Sequence, residues 1–201
     1  RGTNLSHTDL AGRDFSGQDL TGVNLTEAIL TDTNLTATTL RGAKLSSAKL
    51  IRAKLSSADL TSANLTGADL TDVDLTAATL RGANLARADL TNANLSRVDL
   101  RGRANLTNAV LRNANMTRIQ LRHAILKNVD LTDSILLRAN LALTDLSGFD
   151  FSGQNLEGAN FRNALLVGVN FKNTNLTDAN LRGADLLDTN FTGAILKGAN
   201  L

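Results

Sequence analysis

The chain has 201 residues, of which 42% are hydrophobic, and its 21 Lys and Arg stand against 19 Asp and Glu. This composition is typical of a folded chain with an apolar core, and the absence of Cys excludes disulfides and thiolate metal sites. No apolar run approaches the roughly 18 residues that span a bilayer, so we expect no transmembrane helix. The chain begins at Arg1 and stops within a repeat, so we expect a piece of a longer polypeptide, located in the cytoplasm.

An apolar residue recurs at every fifth position and organises the whole sequence. From Leu5 to Leu100 all twenty such positions hold Leu or Phe, and from Leu106 to Leu201 twenty more hold Leu or Phe except Met116. We call these the central positions. The small position, two residues earlier, usually holds Ala, Thr or Val, and the polar position, one residue earlier, usually holds Asn or Asp. The chain is therefore a tandem repeat.

A period of five fits neither an α-helix nor a straight strand. On a helix, successive central residues would lie about 140° apart, and on a strand they would alternate between faces. The chain must therefore turn once in each repeat. Because the small and central positions are two residues apart, both can point inward while the other three residues point outward. The pattern predicts a narrow coil with a dry interior and a polar surface.

The units ANLTG, ADLTD, ANLAR and ADLTN resemble the pentapeptide-repeat family, whose consensus is A(D/N)LXX. The resemblance covers the whole chain and implies one all-β domain over residues 1–201. The implied fold is a right-handed quadrilateral β-helix of about ten coils, with four repeats in each coil. Residues 30–45 recur in similar form at 70–85, an offset of forty residues, which is two whole coils.

One extra residue interrupts the period. Residues 80–85 read LRGANL, whereas residues 100–106 read LRGRANL. Because Ala104 occupies the small position before Leu106, the surplus must lie among Arg101, Gly102 and Arg103. We expect an outward bulge at this corner that leaves both halves in phase with the core.

Two outer sides of the predicted coil carry opposite charge. The arginine side has seven arginines against three aspartates, and the opposite, acidic side has eight aspartates against four basic residues. Part of the arginine row lies within the duplicated segment, and a charged face is often only solvated or paired with neighbouring acids. The arginines are Arg41, Arg81, Arg101, Arg103, Arg122, Arg162 and Arg182. The acidic residues considered for binding are Asp69, Asp72, Asp89, Asp130, Asp133 and Asp150.

Nothing in the sequence predicts catalysis. His7 and His123 lie on different sides, five coils apart, and a Leu-filled interior is expected to leave no cleft, so we expect no enzyme, no cofactor and no metal site. Asp130 and Asp150 should stack on adjacent coils as solvated surface. The phenylalanines occupy inward positions unsuited to base stacking. Gln154 breaks the small-residue rule and should need a hydrogen-bond partner.

Three functions remain open. The first is a scaffold for protein–protein interaction whose arginine side contacts an acidic partner. The second follows from the resemblance: similar quinolone-resistance proteins of bacteria mimic DNA and bind gyrase, a role the acidic side would serve. The third is nucleic-acid or other polyanion binding by the arginine side. An apolar docking patch and a homodimer through an uncapped end are further expectations; the patch comprises Leu165, Val167 and Leu187.

Overall fold

The fold is an all-β solenoid built from isolated parallel bridges, and the computed structural model describes residues 2–201. The residue at the polar position of each repeat forms a bridge, as in Asn4↔Asn24 and Asn180↔Asn200, and a turn follows each central residue. Bridge partners in the first half are twenty residues apart, for example Lys49↔Asp69. Four repeats therefore separate one layer from the next.

Four backbone hydrogen bonds recur in most repeats, and one of them runs from the second corner residue to the following layer (Ser47 to Thr66, 3.0 Å). The central residue donates to the following layer (Leu45 to Asn64, 2.7 Å), and the polar-position residue donates to the preceding one (Asn64 to Ala43, 2.9 Å). The small-position residue closes the corner by donating to the preceding central carbonyl (Ala48 to Leu45, 3.1 Å). The second corner residue is left-handed, as at Ser47 with φ of 55°. Each layer is thus held mainly by its two neighbours.

The core consists of central and small residues, as the pattern predicts. Leu50, Ala53 and Leu55 are fully buried, and they are representative of the rod's interior. Near the C-terminal end, phenylalanines replace leucine on one side. Phe151 stacks on Phe171 at a centroid distance of 5.7 Å, and Phe171 stacks on Phe191 at 5.4 Å. The predicted ladder of core rings is therefore confirmed.

The extra residue lies in a three-residue turn at 101–103. Bridges that span this turn join residues 21 apart, such as Asn84↔Asn105, and the offset returns to 20 at Asn105↔Ile125. Gly102 and Arg103 both have left-handed φ, at 73° and 64°. A Cβ at Gly102 would lie 3.4 Å from the backbone nitrogen of Gly82 in the adjacent layer. The surplus is absorbed outside a core in which Ala104 remains fully buried.

The ladder is interrupted at one level of the rod. Within residues 2–201, no bridge joins residue 125 to 145, 130 to 150 or 135 to 155, so three of the four sides are open between these two layers. The fourth side stays continuous through Gln120↔Asn140 and Asn140↔Asn160. Backbone bonds from Leu121 to Asn140 and from Arg138 to Glu157 close the two ends of the opening, at 2.8 and 2.9 Å. We call this opening the split.

Candidate functional site

The lower half of the arginine side is largely neutralised by aspartate. Arg41 Nε lies 2.6 Å from Asp59 Oδ2. Both Arg81 and Arg101 contact Asp99 Oδ2, at 2.5 and 2.8 Å. Each of these arginines has a carboxylate partner on its own layer or the next, so this half offers little free positive charge.

Asp99 is the most strongly held acid on this side, with a side chain only 16% exposed. Burial favours its neutral form, but hydrogen bonds from Arg101 and Arg81 outweigh burial and hold the pKa of Asp99 far below its ordinary value. The same contact raises the pKa of Arg101. This cluster is ionised at every physiological pH and serves the structure of the rod.

The upper half of the arginine side differs, because its polar positions hold amides instead of acids. Within residues 2–201, no ion pair engages the four remaining arginines, which are Arg103, Arg122, Arg162 and Arg182. Asn140 Nδ2 donates to Gln120 Oε1 at 2.9 Å, and Asn160 Nδ2 donates to Asn140 Oδ1 at 3.1 Å. The side-chain amides at the polar positions therefore hydrogen-bond to one another, and the guanidinium groups of the neighbouring arginines are exposed to solvent.

A shallow groove lies between two of these arginines. It is lined by Arg122 and Arg162, with Ala142 and Leu143 between them, and encloses about 270 Å³. Ala142 stands where neighbouring layers carry arginine, so the groove floor is small and apolar between two exposed cations. This geometry suits a carboxylate or phosphate that approaches from outside.

The acidic side is partly engaged by its own hydrogen bonds. Asp69 and Asp89 stack on adjacent layers, as expected. Arg112 Nε lies 2.5 Å from Asp130, where hydrogen bonds from Thr132 and then from Arg112 lower the pKa of the carboxyl group. Asp72 accepts a hydrogen bond from Asn92 at 3.0 Å.

Two expectations about this region are wrong. Asp130 and Asp150 do not form a bridge, because the split separates their layers; Asp150 instead accepts a hydrogen bond from Asn170, on the layer above, at 3.0 Å. The interior also has a cleft, contrary to the expectation from its leucines. The split encloses about 900 Å³ above the extra residue and about 390 Å³ on the acidic side.

The split is lined by core residues and rimmed by charge. Ala124, Leu126 and Phe149 form part of its apolar lining. The charged and titratable residues at the rim of the larger cavity are Arg103, His123, Lys127 and Asp145. His7, by contrast, lies 3.3 Å from Glu27 near the other end of the rod, so the two histidines do not meet.

The predicted apolar patch is exposed at two of its three residues. Leu165 and Leu187 are 47% and 63% exposed, whereas Val167 is half-buried. Sequence analysis missed three isoleucines that are also exposed, which are Ile125, Ile135 and Ile195. All three stand at the polar position, so an aliphatic residue in place of Asn or Asp was the available signal.

Comparison with known proteins gives a family and a fold. The family model for pentapeptide repeats matches segments that together run from residue 1 to residue 201. A comparison with curated protein sequences finds no significant match. Within residues 2–201 the structure contains no helix that could cross a membrane.

Solved structures agree with this assignment. The chain is 33% identical to HetL, a pentapeptide-repeat protein involved in heterocyst differentiation regulation in the cyanobacterium Nostoc, with 98% of this chain and 89% of HetL covered and a TM-score of 0.57. It is 19% identical to a trypsin-treated variant of QnrB1, a plasmid-mediated fluoroquinolone resistance protein, with 100% and 92% covered and a TM-score of 0.55. At that identity the likeness to QnrB1 concerns the fold alone. The chain belongs to the pentapeptide-repeat family.

Proposed function

We propose that this protein is a rigid, non-enzymatic scaffold for protein–protein interaction, whose upper arginine side contacts an acidic partner. In this proposal residues 1–201 form one domain, a right-handed quadrilateral β-helix of about ten coils. The partner is a protein surface rich in Asp and Glu. No cofactor takes part.

The observation that supports this proposal is the set of arginines without an ion pair among residues 2–201. Arg41, Arg81 and Arg101 are held by aspartates, whereas Arg122, Arg162 and Arg182 lie beside neutral amides. Layers are about 4.8 Å apart, so Arg162 and Arg182 present a closely spaced pair and Arg122 stands about 10 Å below Arg162. Each exposed contact with a carboxylate contributes about 0.2–1 kcal/mol, so the interaction needs several contacts and weakens with salt.

A regulatory role is consistent with the family. HetL, which shares 33% of aligned residues with this chain, is described as involved in the regulation of differentiation. A rod with patterned sides serves such a role without chemistry of its own, because it can hold partners at fixed spacing.

DNA mimicry and gyrase binding are the second candidate, favoured by the stacked Asp69 and Asp89. Two features weaken it. The whole chain carries a net charge of +2. Aspartates of this side are also occupied by arginine, at Asp130 by Arg112 and at Asp32 by Arg52, where the Arg52 Nη2 to Asp32 Oδ2 distance is 2.7 Å. A DNA mimic needs a dominant acidic surface.

Binding to three probes across a salt series tests these functions: poly-L-glutamate, a mixed-sequence DNA duplex, and DNA gyrase. The proposal expects salt-sensitive binding of poly-L-glutamate that is lost when Arg122, Arg162 and Arg182 become Glu. The matched control changes three exposed basic residues elsewhere, Lys44, Arg87 and Arg97, to Glu and should keep binding.

The other outcomes point to the alternatives. Duplex binding stronger than poly-L-glutamate binding, lost in the same arginine variant, would make the protein a polyanion binder. Tight gyrase binding without duplex binding would support DNA mimicry. If no probe bound at low salt, both charged sides would be excluded as binding surfaces. The apolar patch would then be tested with the Leu165→Ser, Leu187→Ser variant, in which a protein partner that docks on this patch should bind less well.

A further inference from the structure

The split exposes two strand edges that face each other inside the rod. On the lower edge, the backbone N–H groups of Leu126, Leu131 and Leu136 have no backbone acceptor within residues 2–201. On the upper edge, the backbone carbonyls of Asp145, Asp150 and Asn155 accept no backbone hydrogen bond there. In the layer below, the equivalent Leu106 N–H donates to Ile125 at 2.9 Å.

Side chains at the split also lack partners. Ser134 Oγ and Gln154 Oε1 are buried without a hydrogen bond, among residues 2–201. They occupy the small position of the same side on the two layers that the split separates. Buried polar atoms are usually hydrogen-bonded, so this pair calls for a ligand with its own donors.

Oversized residues at the small positions mark the upper edge. Phe149 and Gln154 stand where most repeats carry Ala, Thr or Val. Phe149 stacks on Phe151 at 5.7 Å and lines both cavities of the split. These larger side chains lie on the layer whose lower edge the split exposes, and that layer is bridged normally to the layer above it, as at Asp150↔Asn170.

The sequence of the upper edge recurs at the first layer. Residues 145–156 read DLSGFDFSGQNL and residues 9–20 read DLAGRDFSGQDL, identical at nine of twelve positions. The upper edge of the split is therefore built from a segment that also occurs elsewhere in this chain.

We propose that the split binds a polypeptide segment by strand addition, with Asp or Glu where the segment crosses the larger cavity. The N–H and C=O groups left unpaired within residues 2–201 recur once per repeat on three successive sides, and a segment that follows the coil can pair with them through its own backbone. At the larger cavity Arg103 and Lys127 outnumber Asp145, whose Oδ1 already accepts hydrogen bonds from Ser147, whereas the smaller cavity is lined by Asp130 and Asp150. Asp or Glu is therefore favoured in the part of the segment that crosses the larger cavity. The proposal adds a second contact to the scaffold role, at a site separate from Arg162 and Arg182.

The test uses a peptide that copies residues 68–77, ADLTDVDLTA, capped at both ends and labelled with a fluorophore. Within the protein this segment already forms backbone hydrogen bonds to the layers below and above it. It is therefore a suitable probe for the two open edges of the split. We expect saturable binding by fluorescence anisotropy and slower hydrogen exchange at the amides of Leu126, Leu131 and Leu136. The same peptide with both leucine nitrogens methylated keeps its side chains but loses two backbone donors. Its affinity should be lower by a factor of about ten or more.

Charge variants show whether the peptide occupies the split. Lys127→Glu should weaken binding about three- to tenfold, whereas Lys44→Glu, an equal charge change at an exposed residue far from the split, should not. The variant that combines Arg122→Glu, Arg162→Glu and Arg182→Glu should retain peptide binding, so failure of the arginine-side proposal and failure of this one are distinguishable. Absence of saturable binding up to about 1 mM, or equal binding of the methylated peptide, would overturn strand addition.

Discussion

Replacing Phe171 with Ala tests whether the split divides the rod into two units of stability. Phe171 is fully buried and lies between Phe151 and Phe191, with Phe161 edge-on at 5.7 Å. Removing a buried phenylalanine costs about 3–5 kcal/mol, which includes the lost ring contacts. The sixty residues from 142 to 201, at about 0.05–0.15 kcal/mol each, hold only about 3–9 kcal/mol of stability.

The loss therefore removes about a third or more of the stability above the split. Since, among the described residues, backbone bonds cross the split near one side alone, we expect residues 142–201 to unfold first while residues 22–121 stay folded. Hydrogen exchange at increasing urea concentrations would show fast exchange above the split and unchanged protection below it. Leu70→Ala, at a fully buried position in the other unit, is the control and should destabilise the lower layers instead. Uniform loss of protection along the whole chain in the Phe171 variant would refute the division.

Two further predictions concern the extra residue and the acid range. Gly102→Ala should lower the free energy of unfolding by about 1 kcal/mol in urea titrations, because φ is 73° and the new Cβ would lie 3.4 Å from the backbone nitrogen of Gly82. Gly12→Ala, with open space around it, is the control and should lower the free energy of unfolding by less. Equal losses in the two variants would contradict the packing argument. Because the pKa of Asp99 is lowered in the folded state, its contribution is present above the unfolded pKa of about 3.9 and is lost as pH falls from there toward the lower folded pKa. The melting temperature should therefore hold between pH 5 and 8 and fall below about pH 4, with a shallower fall in Asp99→Asn; an unchanged acid slope in that variant would exclude Asp99 as a source.

The repeat made the core predictable. A central residue every fifth position, with a small residue two places earlier, determines which side chains point inward, and Leu50, Ala53 and Leu55 are buried accordingly. The position of the surplus residue also follows, because Ala104 must remain at a small position. These features depend on local spacing, which one sequence contains in full.

The charge state of each side was harder to predict, because it depends on pairs between layers. Arg41 lies eighteen residues from Asp59, and whether the two meet depends on rotamers that spacing does not determine. The seven arginines formed one row in the sequence, yet only the upper ones are without a carboxylate partner among the described residues. The amides at Gln120, Asn140 and Asn160 were the available signal.

The split was missed for a related reason. Phe149 and Gln154 were visible as exceptions to the small-residue rule, but a repeat pattern predicts contacts only where its rule holds. Whether a large inward side chain is absorbed or separates two layers depends on the volume left by its neighbours.

The split also determines how the rod responds to force. Hydrogen bonds between layers run along the rod axis, so a force that pulls on the two ends acts equally on every pair of layers. The pair joined by the fewest hydrogen bonds separates first. At most levels all four sides share the load, whereas at the split it falls on the side that carries Gln120 and Asn140. Under tension the rod would bend and open there like a hinge, well before its other layers separate. A strand bound in the split would supply the missing hydrogen bonds and stiffen the rod. A bound partner would therefore raise the force needed to separate the two layers.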